Sequence, residues 1–537
     1  MKSLVLDCTL RDGGYINNWC FGNKSIKKIT DNLLNAKIDI IECGFLSDIN
    51  YDKDVSLFCE MWQIEKIIPS HTGDTIFVAM LALGDKEIDY DRIPACNGLS
   101  ITGIRLTFHK NEIERAREFA VNLKQKGYKV FMQPVGTMSY TDLELLHLVD
   151  VVNQIKPFAF YIVDTLGCMY KNELLKMFYL VDNNLNPDIY IGFHSHNNLQ
   201  LSFSNAQELI KIQSRRNLIV DSSLYGMGRG SGNLCTELIA DYINSSLLYK
   251  YNLTPVLELI DDIIRPIYSV SSWGYSVPYY LAAVNRCHPN YASYLVNKQT
   301  ISMNQISEIL EKIPQEERDI YNKNLIENVY INNQKNILND KDAKDFIADK
   351  LLNKEIVILA PGHSLVEYED RIKRYTEKEN TQVITINFRP NNYRSNFVFL
   401  SNLKRMTNVE TWKALTIVTS NLGINSNKTC LCVDYGSLID RKYEESDNAG
   451  MMLIRLLKSI GIKSIKIAGY DGFDKNTEMN YVTRDMINSV STNAFQAKNA
   501  SIREQLLDIM PEIDIKFLTP SKYLSEEENE EISNNII

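Results

Sequence analysis

Short apolar runs of strand character recur at regular spacing through the first half of the chain. SLVLDCT from Ser3, IDIIECGF from Ile38, TIFVAML from Thr75, ITGIRLTF from Ile101, YKVFMQPV from Tyr128, AFYIVDT from Ala159, IYIGFHSH from Ile189 and LIVDSSL from Leu218 are rich in β-branched and aromatic residues. Between them lie stretches such as NKSIKKITDNLLNAK and NEIERAREFAVNLKQKG, whose apolar residues return at intervals of three and four. That is the period of an amphipathic helix. Eight strand-then-helix units in about 250 residues predict a (β/α)8 TIM barrel. A doubly wound open sheet is the competing layout, but it usually has fewer strands and a glycine-rich first turn.

After residue 254 the pattern changes. Residues 255–335 read as amphipathic helices, a lid or an oligomer-forming appendage, and the polar stretch in 336–353 lacks an apolar stripe and reads as a linker. A second α/β pattern fills 354–525, with EIVILAPGHSL, QVITINF, LTIVTS and KTCLCVDY as strands. SDNAGMMLIRLLKSIGIKSIKIAGYDGFD then reads as a capped helix, a glycine stop at Gly461 and a strand ending at Asp471. This predicts a smaller Rossmann-like α/β domain, followed by a frayed acidic tail over 526–537.

Composition narrows the class. At 537 residues two or three domains are expected, and 45% hydrophobic with 23% charged content is that of an ordinary globular protein. A net charge of −9 gives no basic footprint for DNA or RNA. The ten cysteines form no CxxC pair and read as reduced thiols. Asp7 interrupts the first apolar run too early for a signal-peptide core, and no run approaches the roughly 20 apolar residues of a membrane span. A cytoplasmic protein is expected.

The chemistry concentrates at the predicted C-terminal strand ends, where a barrel of this kind keeps its active site. CTLRDGGY delivers Arg11, Asp12 and Tyr15; later strands offer Glu42, Arg105, Gln133, Asp164 and Thr165; the seventh ends in His194 and His196, and YGMGRGSGN with Asn233 follows the eighth. Positions two apart on a strand share a face, so both imidazoles aim the same way. With one carboxylate and an amide oxygen they make an N/O ligand set suited to Mg, Mn or Zn. Each feature also has a plain structural reading: a satisfied core histidine, a hairpin turn at RDGG, or glycines that merely let a loop turn.

DCTLRDGGY, HSHNNL and GMGRGSGNL together resemble the DRE-TIM metallolyase superfamily over about residues 1 to 300. The resemblance implies Asp12, His194, His196 and Asn233 as metal ligands, with Mn or Mg as the cation. It implies Arg11 as the enolate-stabilising group, and Glu42, Arg105 and Thr165 on the substrate side. HSHNNLQLSFSNA sides with the 4-hydroxy-2-oxovalerate aldolases rather than the acetyl-CoA-condensing synthases, and HPNYASYL resembles a tyrosine-bearing helix that aldolases place over the mouth. Tyr291 and His288 are therefore acid/base candidates. In one respect the chain departs from the aldolases: Tyr15 stands where they carry a histidine. The implied reaction is a metal-assisted retro-aldol on a 4-hydroxy-2-oxo acid, its partners a 2-oxo acid and an aldehyde.

VILAPGHSL and the later IAGYD are similar to nucleotide-sugar-binding domains of bacterial sialyltransferase-like proteins, with His363 where those often have proline. The resemblance makes Gly362, His363, Ser364 and Asp471 candidates for phosphate or nucleotide, and it implies coupling to sugar metabolism. An ordinary βα turn is the plain alternative. For the whole chain, a Claisen-type synthase and a non-catalytic barrel serving as scaffold are the rival readings.

Overall fold

The computed structural model describes residues 2–534 except 213, 248, 299, 336, 407–413, 426, 428, 475–479 and 483–494. Every one of the eight apolar runs becomes a parallel strand: β1 Ser3–Asp7, β2 Ile40–Leu46, β3 Ile76–Ala82, β4 Gly103–Phe108, β5 Lys129–Pro134, β6 Ala159–Asp164, β7 Tyr190–Ser195 and β8 Leu218–Ser222. Neighbours in sequence are neighbours in the sheet, and β8 closes onto β1 with Ser3 opposite Leu218 and Asp7 opposite Ser222. A two-residue strand, Leu57–Phe58, lies beside the end of β2.

The helix-period segments form Asn23–Asn35 and Ile113–Gln125, and Asp142–Ile155 starts with Thr141 accepting the Glu144 N–H in a capping box. Between β3 and β4 the described chain has only a short 3-10 turn, Tyr90–Arg92. Leu6, Val78, Phe131, Tyr161 and Ile219 fill the barrel interior, while a larger apolar layer lies between strands and helices.

The chain divides into two compact units, Met1–Ser293 with Ile313–Asn322, and Tyr294–Lys312 with Lys323–Ile537. The barrel unit thus runs past residue 254: Val256, Leu259 and Ile264 are fully buried in its apolar layer. The expected appendage is shared between the units. Within the span read as a linker, Lys341–Leu351 is a helix whose Ile347 and Leu351 are buried in the second unit's core. Its apolar positions sit four apart among charged ones, a stripe too narrow to stand out in the sequence. The acidic tail carries a helix, Glu526–Asn534, rather than a frayed strand of polar residues.

The second unit is built on seven parallel strands, β9 Glu355–Leu359, β10 Thr381–Ile386, β11 Phe397–Leu400, β12 Leu415–Thr419, β13 Cys430–Val433, β14 Ser464–Ala468 and β15 Asp514–Phe517. Their order is β13-β12-β11-β10-β9-β14-β15, so the winding direction reverses between β9 and β14. Among the described residues no helix is long and apolar enough to cross a membrane.

Candidate active site at the barrel mouth

After β1 the chain does not make a hairpin. Thr9–Gly13 form one wide helical turn that runs into Gly14–Asn17, so RDGG is helical. Gly14 is required for close approach: a Cβ there would lie 2.1 Å from the Trp19 ring, whose Nε1 donates to the Arg11 carbonyl at 2.7 Å. The turn directs Arg11 and Asp12, both buried, into the barrel mouth.

Asp12, His194 and His196 offer ligand atoms that all lie within 4.8 Å of one another. His194 Nδ1 is 3.0 Å from Asp221 Oδ2, and His196 Nδ1 is 3.3 Å from the Asp164 carbonyl. Donation from Nδ1 leaves Nε2 of each ring as the lone-pair nitrogen, which is how protein partners usually orient metal-binding histidines. His196 Nε2 is 3.6 Å from Asp12 Oδ2. Burial pushes His196 down to about 3, so the ring is neutral and ready to ligate. Burial alone would raise the Asp12 carboxyl, but Arg11 and the two histidines hold it well below the usual carboxylate range.

Asn233 donates Nδ2 to Asp12 Oδ2 at 2.5 Å and to the Met227 carbonyl at 3.1 Å, while its Oδ1 is buried without a hydrogen-bond partner. The glycine run after β8 makes room for it, since a Cβ at Gly228 would lie 2.3 Å from the Asn233 amide. Arg11 donates Nε to Glu42 at 2.9 Å and Nη1 to Asp12 at 2.7 Å, and its Nη2 is buried without a partner. A buried donor and a buried acceptor left unmatched beside a carboxylate and two imidazoles fit a cation with an anionic substrate bound to it.

Glu42 and Arg105 do not line the mouth. Arg105 is wholly buried beneath it, bonded through Nη1 to Glu42 at 2.6 Å and paired through Nη2 with Asp221. These residues form a ladder from Arg11 through Glu42 and Arg105 to Asp221 and His194, which corrects their expected place on the substrate. Asp221, a lone acid inside the β-branched run LIVDSSL, was missed in the sequence. A carboxylate facing inward on the strand next to the histidines was the available signal.

The mouth cavity is lined by Tyr15, Thr165, Arg229, His288, Asp319 and Tyr321 in addition to Arg11, Asp12 and the histidines. Thr165 Oγ1 accepts the Gly136 N–H at 2.9 Å. Burial raises the Tyr15 phenol above its ordinary value, so at neutral pH it carries its proton and is no base. Burial also pushes His288 down to about 2; its Nδ1 accepts the Asn290 N–H at 3.2 Å, which puts the ring proton on Nε2. Tyr291 stays out of the cavity. Its hydroxyl lies 2.8 Å from both the Glu317 and Ile320 carbonyls and accepts the Asn322 N–H at 3.1 Å. The expected acid/base tyrosine is therefore an anchor for residues 317–322.

In the second unit the turn after β9 is closed to phosphate. Ser364 donates its N–H to Asp471 Oδ2 at 2.8 Å and its hydroxyl to Asp471 Oδ1. A Cβ on Gly362 would lie 2.4 Å from that carboxyl, and His363 pairs weakly with Glu367 at 3.8 Å. An internal carboxylate thus occupies the anion position expected at Gly362, His363 and Ser364.

Residues 3–263 match the HMGL-like family. The chain is 24% identical over 272 residues to a 4-hydroxy-2-oxovalerate aldolase of Geobacillus genomosp. 3, covering 49% of this chain and 77% of that one. It is 25% identical over 247 residues to an oxaloacetate decarboxylase of Mycobacterium tuberculosis, covering 44% and 69%. Among solved structures, the N-terminal domain of a protein provisionally named an aldolase from Bacteroides vulgatus is 25% identical, with a TM-score of 0.49, covering 57% of this chain and 99% of that one. Barrel, buried Asp–His–His group, the HMGL-like match over residues 3–263 and the aldolase relatives agree in supporting the DRE-TIM metallolyase superfamily, aldolase branch, for this part of the chain.

Proposed function

We propose that the barrel unit is a divalent-metal-dependent aldolase that cleaves or forms a 4-hydroxy-2-oxo acid through a pyruvate-type enolate. The observation that carries this reading is the partnerless Nη2 of Arg11 beside the buried Asp12, His194 and His196. Asp12, His194, His196 and the Asn233 amide oxygen would hold the cation, Mn or Mg by their hard and borderline donors. When bound, that cation supplies Lewis-acid polarisation of the 2-keto group.

The chain's own residues do the rest. Glu42 and Asp12 fix the Arg11 guanidinium before substrate arrives, so Nη2 meets the charge that develops on the enolate oxygen without reorganising. Thr165, whose oxygen already accepts a backbone N–H, has its hydroxyl proton to give to the substrate carboxylate. Tyr15, protonated and with the Arg229 guanidinium 5.5 Å above its ring, orients the aldehyde end. His288 presents its Nε2–H to the aldehyde end as well. The test is pyruvate release from a panel of 4-hydroxy-2-oxo acids with and without chelator. Cleavage that chelator abolishes supports the reading; thiol release from acetyl-CoA with 2-oxo acids, and no cleavage, would support a Claisen synthase instead.

For the second unit the reading is a nucleotide or nucleotide-sugar site in the crevice over the point where the strand order reverses, which Gly362 and Asp471 of the expected set line while His363 and Ser364 do not. Ligands of open α/β sheets bind there. Lys298, Arg405 and Lys498 line this crevice together with Glu445, Asp447 and Asp474, and Tyr470 and Tyr481 offer rings, which supports a ligand that combines anionic groups, hydroxyls and a ring to stack, as a nucleotide sugar does. Isothermal titration of the full chain with cytidine nucleotides tests it, and absence of heat removes it.

A further inference from the structure

Resting on the aldolase reading, we infer that Asp319 is the general base that takes the proton from the C4 hydroxyl of the substrate. Retro-aldol cleavage needs a group at the mouth that can take the hydroxyl proton, and it has to carry no proton of its own at neutral pH. Tyr15 retains its proton, and His288 presents Nε2–H, a donor. Asp85 is 3.3 Å from Lys86 on an exposed loop. His194 and His196 belong to the ligand set.

Asp319 lies on the segment Ile313–Asn322, which packs with the barrel although residues on both sides of it belong to the other unit. The segment is tied down on each side of the aspartate. Tyr291 holds the carbonyls of Glu317 and Ile320 and the N–H of Asn322, the His288 N–H donates to the Arg318 carbonyl at 2.8 Å, and the Arg318 guanidinium donates to the carbonyls of Ile313 at 2.9 Å and Asn285 at 3.0 Å. This scaffold sets a half-buried carboxylate on the cavity wall over the end of β5, with Oδ2 3.9 Å from where a Cβ on Gly136 would stand. Burial raises its affinity for a proton toward that of a working base.

The step balances without a co-reactant. The hydroxyl proton passes to the Asp319 carboxylate, C4–O becomes the carbonyl of the aldehyde, and the C3–C4 electron pair becomes the C2=C3 bond of the enolate. Asp319 then gives up its proton, C3 takes one, and the products are a pyruvate-type acid and an aldehyde with no change in oxidation state. Tyr291 acts through the segment it anchors and is a positioning residue.

The test compares two reactions of the full-length, Mn-supplied chain. Cleavage of a 4-hydroxy-2-oxo acid needs a hydroxyl proton removed, whereas decarboxylation of oxaloacetate reaches the same enolate without one. Asp319→Asn should lower cleavage by about 10²–10⁴-fold. It should leave decarboxylation, and calorimetric binding of oxalate as an enolate mimic, within about threefold of wild type. Asp319→Glu should recover part of the cleavage. His109 is the other imidazole on the cavity wall outside the ligand set and His288. Unchanged cleavage in Asp319→Asn, equal loss of cleavage and oxalate binding, or a selective loss seen in His109→Gln instead would overturn the assignment while leaving the aldolase reading standing. A wild-type chain that binds oxalate and cleaves no member of the panel overturns the aldolase reading, and this assignment with it.

Discussion

Asp221 accepts the Nδ1 proton of His194 at 3.0 Å and is itself paired with the wholly buried Arg105. Burial alone would raise its carboxyl, but Arg105 and His194 hold it below the ordinary range, so it is ionised and keeps the imidazole in one tautomer. Asp221→Asn should therefore weaken Mn binding by about 10–100-fold, read by metal titration of the chelator-stripped chain. It also leaves Arg105 short of a counter-charge, and the midpoint of thermal unfolding should fall.

Arg11→Lys keeps the charge and removes the fork. A lysine's three donors sit on one nitrogen and cannot reproduce the planar spread that sets Nε on Glu42, Nη1 on Asp12 and Nη2 toward the substrate. Pyruvate release should drop by about 10²–10³-fold in kcat, the range for losing a donor aimed at a developing oxyanion. Mn affinity should change far less, because Arg11 is not among the ligands.

Tyr291→Phe separates anchor from acid. As a proton donor to the reaction its loss would change the shape of the pH–rate profile. As an anchor its loss should leave that shape alone, lower kcat by less than about tenfold, and cost on the order of 1–3 kcal/mol of stability through loss of the one hydroxyl proton that the Glu317 and Ile320 carbonyls share. Rates measured from pH 5 to 9, with urea unfolding, distinguish the two.

Asp7 gives the fold a pH dependence. Burial pushes its carboxyl up from 3.8 to about 6, against hydrogen bonds from the Thr236 hydroxyl and the Thr9 N–H. The folded state therefore binds the proton more tightly than the unfolded one, and stability falls as pH rises from about 4 to about 6 and is level above. Asp7→Asn can keep both bonds by donating to Thr236, whose own proton turns to Ser222 at 2.8 Å. Its unfolding midpoint should rise by about 2–4 °C at pH 8 and match wild type near pH 4, measured by calorimetry.

The barrel and its metal-ligating group were legible because each rests on local pattern. Alternating apolar runs and helical periodicity are properties of contiguous residues, and His194 and His196 share a face by strand geometry alone. The tautomers of those rings were not legible, since the groups that set them, Asp221 and the Asp164 carbonyl, come from other strands. Arg105 read as a substrate group because a cation near a strand end looks the same whether it points up into the mouth or, as here, down between Glu42 and Asp221.

The same divide separates Tyr291 from Asp319, and the turn at Ser364 from the crevice beside it. The amino-acid order by itself determined two α/β units, a barrel with chemistry at its strand ends, and the identity of a carboxylate and two imidazoles able to meet. Only the tertiary structure decided which polar atoms are left without partners, which side chains anchor rather than react, and that residues 313–322 return to the barrel. Those outcomes depend on groups far apart in the chain competing for the same buried hydrogen bonds, and a one-dimensional pattern carries no record of which competitor wins.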